Sequence, residues 1–144
     1  MKRLAFLAMM ISLAVPAWAA SVTVTGAFAR ATPPGAEIGV VYMTLESDTG
    51  DTLTGASTPA AASAIMHKTS MAGMVMSMDE MDKIDLPASQ KVALQPDQLH
   101  IMLQGLKHPL VKGTTIPLHL TFAKAPAQDI NVPVGSIGAS GPGE

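Results

Sequence analysis

Apolar residues in this chain recur at every second position in short runs, and Gly, Pro and Asp interrupt those runs before any can become a helix. Val22 and Val24 share a parity with Phe28, and Val41, Met43 and Leu45 share one in the next apolar stretch. Gly26, the run Thr32-Pro33-Pro34-Gly35 and residues 47–51 read as the turns or loops between them. Residues 64–68, 74–78, 83–86, 91–94, 99–103 and 115–122 are each of strand length, with separators rich in Gly, Pro and Asp. Many short strands and no long helix specify an all-β fold, an antiparallel sandwich or barrel, rather than an alternating α/β one. Residues 125–144 read as a loosely ordered C-terminal tail.

The N-terminus reads differently. Lys2 and Arg3 precede an apolar run over residues 4–15, then Pro16 and the small-residue pattern Ala17-Trp18-Ala19, the layout of a secretory signal peptide cut after Ala19. That run is about a dozen residues, short of the roughly 20 that span a bilayer as a helix, so no retained membrane anchor is expected. The organisation expected is a signal peptide over residues 1–19, one domain over 20–124 and the tail over 125–144. Of the 9 basic side chains, Lys2 and Arg3 leave with the peptide, so 7 face 11 acidic ones and the net charge becomes about −4. A nucleic-acid partner is not expected of such a chain.

Cysteine is absent, which excludes disulfide scaffolds, thiolate zinc sites, iron–sulfur clusters, thiol nucleophiles and copper centres built on a Cys ligand. Methionine is abundant instead: of 11 in the chain, six fall between Met66 and Met81. Met71, Met74, Met78 and Met81 have helical spacing, but Gly73 and the equally good alternation of Met74, Met76 and Met78 with Val75 and Ser77 favour a strand.

Three of the four histidines sort by local pattern. His119 alternates with Ile116, Leu118, Leu120 and Phe122 and is expected to face solvent; His108 lies in a turn beside Pro109, where a surface position is expected. His100 differs, since Leu99, Ile101 and Leu103 take one face of its strand and leave His100 and Met102 on the other, about 7 Å apart. An imidazole and a thioether at that spacing can converge on one ion. His67 lies where the methionine cluster begins. Thioether sulfur is soft and, with imidazole, selects Cu(I) over Zn(II), Mg(II) or Ca(II).

The spacing of His67, ten residues, Met78, twenty-one residues, His100, one residue and Met102 resembles the ligand pattern of the PCuAC copper chaperones. The flanks are similar to that family too: Val41-Tyr42-Met43-Thr44-Leu45, the DTLTGASTPAA stretch over residues 51–61, and Gly105-Leu106-Lys107 with Pro109-Leu110. The resemblance covers residues 21–122. It implies a cupredoxin-like antiparallel Greek-key β-sandwich in the bacterial periplasm. It also implies one Cu(I) per chain, held by His67, Met78, His100 and Met102 and handed to the CuA centre of cytochrome c oxidase or a similar exported copper protein. A second copper chaperone, or a thiol reductant for the acceptor, would act beside it. On this reading the chain is not an enzyme, and copper sequestration for resistance is the alternative. Two features depart from the pattern: Met66, Met71, Met74 and Met76 add sulfur near the site, and no His or Met follows residue 122, which argues against a second, Cu(II)-binding extension.

Overall fold

The computed structural model describes residues 20–144, so the expected signal peptide lies outside the described residues. Ten strands follow in order: β1 (Val22–Arg30), β2 (Ile38–Ser47), β3 (Asp51–Ser57), β4 (Ala61–Ala72), β5 (Val75–Met81), β6 (Ile84–Leu86), β7 (Lys91–Leu94), β8 (Leu99–Leu106), β9 (Thr115–Phe122) and β10 (Gln128–Gly135). None of the described residues is helical. The all-β expectation therefore holds, and the strands form a cupredoxin-like sandwich closed at its edges.

The neighbour order β4-β8-β2-β1-β10-β9-β3 closes on itself through the bridge between Ala56 of β3 and Ala64 of β4. Seven strands in a ring cannot all alternate in direction, because an odd circuit returns with the wrong polarity. One pair must run parallel, and β1 with β10 is that pair, joined at Ala29–Val134 and Arg30–Gly135. Every other pairing in the ring is antiparallel, as the sequence pattern leads one to expect.

The interior is aliphatic. Val41, Leu45, Leu53, Ile101, Leu103, Leu120 and Val132 are fully buried, each at an alternate position of its strand, and Met66 and Met43 are buried with them. Phe28, Tyr42 and Ala139 form a second, small cluster with Val40. Val40 is paired with Met102 and Tyr42 with Phe28, which puts them on the opposite face of β1 and β2 from the core.

The tail expected over residues 125–144 is corrected outright. Residues 128–135 are β10, an interior strand between β1 and β9 with Val132 and Val134 buried, and beyond it Ala139 is buried while its carbonyl accepts a hydrogen bond from Arg30 Nε at 2.9 Å. β3 is a second strand that the alternation pattern did not expose, since Leu53 is its one large apolar residue. Gly26 ends no strand; it sits at a bulge within β1, where the register shifts between Thr25 and Phe28 and its φ of 61° suits glycine.

The methionine cluster is a hairpin, not a helix. β4 and β5 pair from Met66–Met81 to Ala72–Val75, leaving the two-residue turn Gly73-Met74. Gly73, at φ 65°, takes the left-handed position that such a tight connection requires at its first residue.

Candidate metal centre

The candidate centre lies where the ladder beside β2 is interrupted. Residues 38–41 of β2 pair with β8 and residues 43–46 pair with β7, so β7 and β8 run along β2 as one strand broken by the loop 95–98. Asp97 takes a left-handed φ of 64° there, and Tyr42 is the β2 residue opposite the break. A recess of about 230 Å³ opens at this point, lined by Met78, His100, Met102, Thr69, Val40, Tyr42, Arg30 and Asp97.

Strand parity delivers the candidate ligands to this face. Ile101 and Leu103 are fully buried in the core, so His100 and Met102 project from the other side of β8, as the sequence pattern requires. On β4, His67 is paired directly with His100 and Ile65 with Met102. On β5, Met78 is paired with Thr69, which shares the parity of His67. All four candidate residues therefore occupy one face of three adjacent strands, β5, β4 and β8, whose axes are spaced by about 5 Å.

His67 and His100 face each other with ring centroids 5.7 Å apart and planes tilted by 58°. The His100 Nδ1 lies 3.0 Å from the Gln98 carbonyl oxygen. A carbonyl can only accept, so Nδ1 carries a proton; in the neutral ring the lone pair is then on Nε2, the arrangement found in metal-ligating histidines. The same carbonyl accepts the Thr69 backbone N–H at 3.2 Å, fixing the β7–β8 loop to β4. The Met102 sulfur accepts a weak hydrogen bond from Gln104 Nε2 at 3.6 Å.

His67 is the anomaly. Both of its ring nitrogens are buried and neither has a hydrogen-bond partner. A buried polar atom without a partner costs about 1–3 kcal/mol, and native folds leave few of them. On its own face it is paired with His100 of β8 and Glu80 of β5, with Thr69 two residues along β4 and Met78 and Met102 at the diagonal positions. No three of the His, Asp and Glu side chains among the described residues gather as a hard-donor site. The candidate donors are two imidazoles, which are borderline ligands, and two thioethers, which are soft.

Arg30, Tyr42 and Asp97 also line the recess, and the local pattern did not single them out. The Arg30 guanidinium lies 5.4 Å from the Tyr42 ring centroid. Burial pushes the Tyr42 phenol up, Arg30 lowers it in part and Asp97 raises it, with a net rise, so the ring stays a neutral phenol and brings no anionic oxygen to the recess. Of the remaining histidines, His108 is exposed, and His119 faces outward and pairs through Nδ1 with Asp129 at 2.7 Å. Both agree with their expected surface positions. Met66 lies in the core, whereas Met71, Met74 and Met76 are exposed.

A family model described as putative lipoprotein LpqE-like matches residues 22–134. A putative lipoprotein of Leifsonia xyli subsp. xyli is 36% identical over 81 residues, covering 56% of this chain and 49% of that protein. The chain thus spans about half the length of that curated relative. Among solved structures, apo-DR1885 from Deinococcus radiodurans is 32% identical, with a TM-score of 0.62 over 94% of this chain and 97% of that one. The Cu(I) form of DR1885 is 34% identical, with a TM-score of 0.60 over 76% of this chain and 75% of that one. The copper-bound PCuAC domain from PmoF2 superposes with a TM-score of 0.67 over 80% of this chain and 92% of that domain; at 23% identity this likeness shows the fold.

Proposed function

The chain belongs to the LpqE-like family, and from that premise we propose that it is an exported Cu(I) carrier, binding one ion per chain through His67, Met78, His100 and Met102. The observation that carries this reading is the buried, unpartnered imidazole of His67 set against His100, beside two thioethers. The similarity to DR1885, solved with Cu(I), supports the choice of metal, and the lipoprotein relatives support export, here to the periplasm.

The donor set explains a carrier better than a redox enzyme. Two neutral imidazoles and two thioethers favour Cu(I) and disfavour Cu(II), so the ion is held in one oxidation state. Met78 is 54% exposed while His100 is 4% exposed. The site therefore has a wet thioether edge and a buried imidazole base. A partner's ligand can displace Met78 while His67 and His100 still hold the ion, which permits transfer without release into water.

The acceptor we propose is the CuA centre of cytochrome c oxidase or a similar exported dithiol copper protein. Thiolates bind Cu(I) more strongly than thioethers, so the ion runs downhill to reduced cysteines. Copper–thioether and copper–imidazole bonds break, copper–thiolate bonds form, the thiol protons pass to solvent, and copper stays Cu(I). Copper-loaded protein mixed with reduced and oxidised CuA-type domains, with a chelator trap for free copper present, is expected to load the reduced form alone. Equal loading of both forms, or complete diversion into the trap, would favour sequestration.

A further inference from the structure

We propose that Met71 and Met76 form a second, solvent-facing Cu(I) site at the tip of the β4–β5 hairpin, a landing site from which the ion passes to Met78. This inference rests on the carrier reading above and goes beyond it by giving a role to sulfurs outside the four-residue set.

Three observations carry it. First, Met71 and Met76 are directly paired across the hairpin, with Cβ atoms about 5 Å apart at such positions, so two flexible thioethers can close on one ion. Second, the hairpin collects its exposed strand thioethers on one face. Met71, Met76 and Met78 share the face of His67, Thr69 and Glu80, because each pairs with, or lies two residues from, a position of that parity. The opposite face carries Lys68, Ser70, Ser77 and Asp79, where the Ser70 and Ser77 hydroxyls lie 2.8 Å apart and Ser70 donates to Asp79 at 3.2 Å. Third, these methionines are not packing. Met71 is 61%, Met76 56% and Met78 54% exposed, and Met74 in the turn is fully exposed. Met66 and Met81, of the other parity, are the two that turn toward the core.

The hairpin also projects. β8 pairs with β4 only as far as Lys68, so the strands beyond residue 69 pair with each other alone. An ion on Met71 and Met76 lies two residues, about 7 Å along β5, from Met78. Met78 lines the recess with His100 and Met102, so the thioethers form a graded row from solvent to the imidazoles. The outer pair, with two sulfurs and no nitrogen, binds more weakly than the inner set, and the ion therefore moves inward.

The test uses protein labelled with 13C at the methionine methyls, titrated anaerobically with Cu(I) supplied as its acetonitrile complex. The first equivalent should move Met78 and Met102 and the second should move Met71 and Met76. The variant M71L/M76L, which keeps apolar volume at exposed positions, should lose the second equivalent, keep the affinity of the first, and load about tenfold more slowly from a Cu(I)-chelate donor. The variant H100A/M102A should keep the Met71 and Met76 response. Movement of Met102 with Met71 and Met76 unmoved, and equal loading rates for wild type and M71L/M76L, overturns the landing site and leaves the carrier reading standing. If M71L/M76L loads normally but no longer passes copper to an acceptor domain, the tip is a partner contact and the proposal fails. Movement of Met71 and Met76 without Met102 contradicts the carrier reading itself.

Discussion

Replacing His100 with alanine is expected to lower Cu(I) affinity by more than about a hundredfold, beyond the range typical of groups that merely orient a metal ligand. The residue is 4% exposed, its Nδ1 is committed to the Gln98 carbonyl, and it lines the recess with Met78 and Met102. Met102→Ala should weaken binding in the same direction. His119→Ala should leave affinity unchanged, because that ring faces outward on β9 and pairs with Asp129. Anaerobic competition against a Cu(I) chelator reads all three, with the melting temperature of each apoprotein as the folding control. Equal losses from His100→Ala and His119→Ala would remove His100 from the ligand set.

The largest effect on stability is expected at Asp51, which has no part in the centre. Its buried carboxylate accepts the backbone N–H groups of Thr52 at 2.8 Å, Lys124 at 2.9 Å and Ala125 at 2.8 Å, and so ties the start of β3 to the link between β9 and β10. Asp51→Ala leaves those donors without an acceptor, the Ala125 one in a buried position, at a cost of about 3 kcal/mol. For a domain of this size that lowers Tm by roughly 10 °C. Asp129→Ala, at a side chain 85% exposed, should cost less than about 1 kcal/mol. Asp51 also sets an acid limit. Burial alone would push the Asp51 carboxyl up, but the Ala125, Thr52 and Lys124 N–H groups and the Lys124 charge outweigh it and hold the carboxyl below its ordinary value of 3.8. A depressed folded-state value means that its contribution is complete above the unfolded-state value and is lost as pH falls through the folded one. Thermal melts of wild type and Asp51→Ala should therefore converge as the medium becomes strongly acid. A constant gap between them down to pH 2 would show that the carboxylate is not the source.

Where local alternation decides burial, the sequence was sufficient. Leu99, Ile101 and Leu103 announce the core face of β8 and leave His100 and Met102 on the other, and Gly73 announces a hairpin turn rather than a helix. β10 was not legible, because Pro126 and Pro133 flank and enter a strand whose stability comes from β1 and β9, both distant in sequence. β3 failed for a related reason. Its Thr-rich sequence gives a weak apolar signal, and it is held by β9 on one side and β6 on the other. Arg30, Tyr42 and Asp97 stayed hidden around the centre because they meet only where β7 and β8 part along β2. The parallel β1–β10 junction is likewise a property of the closed ring, which no short window of sequence contains.

The central claim is that one Cu(I) sits among two imidazoles and two thioethers contributed by His67, Met78, His100 and Met102. X-ray absorption at the copper edge, on protein loaded anaerobically with a single equivalent, tests it most directly. The account predicts a Cu(I) edge with both sulfur and imidazole nitrogen in the first coordination sphere, and loss of the imidazole scattering that His100 contributes in His100→Ala. A first sphere of nitrogen and oxygen alone, or one indistinguishable between wild type and His100→Ala, would contradict it.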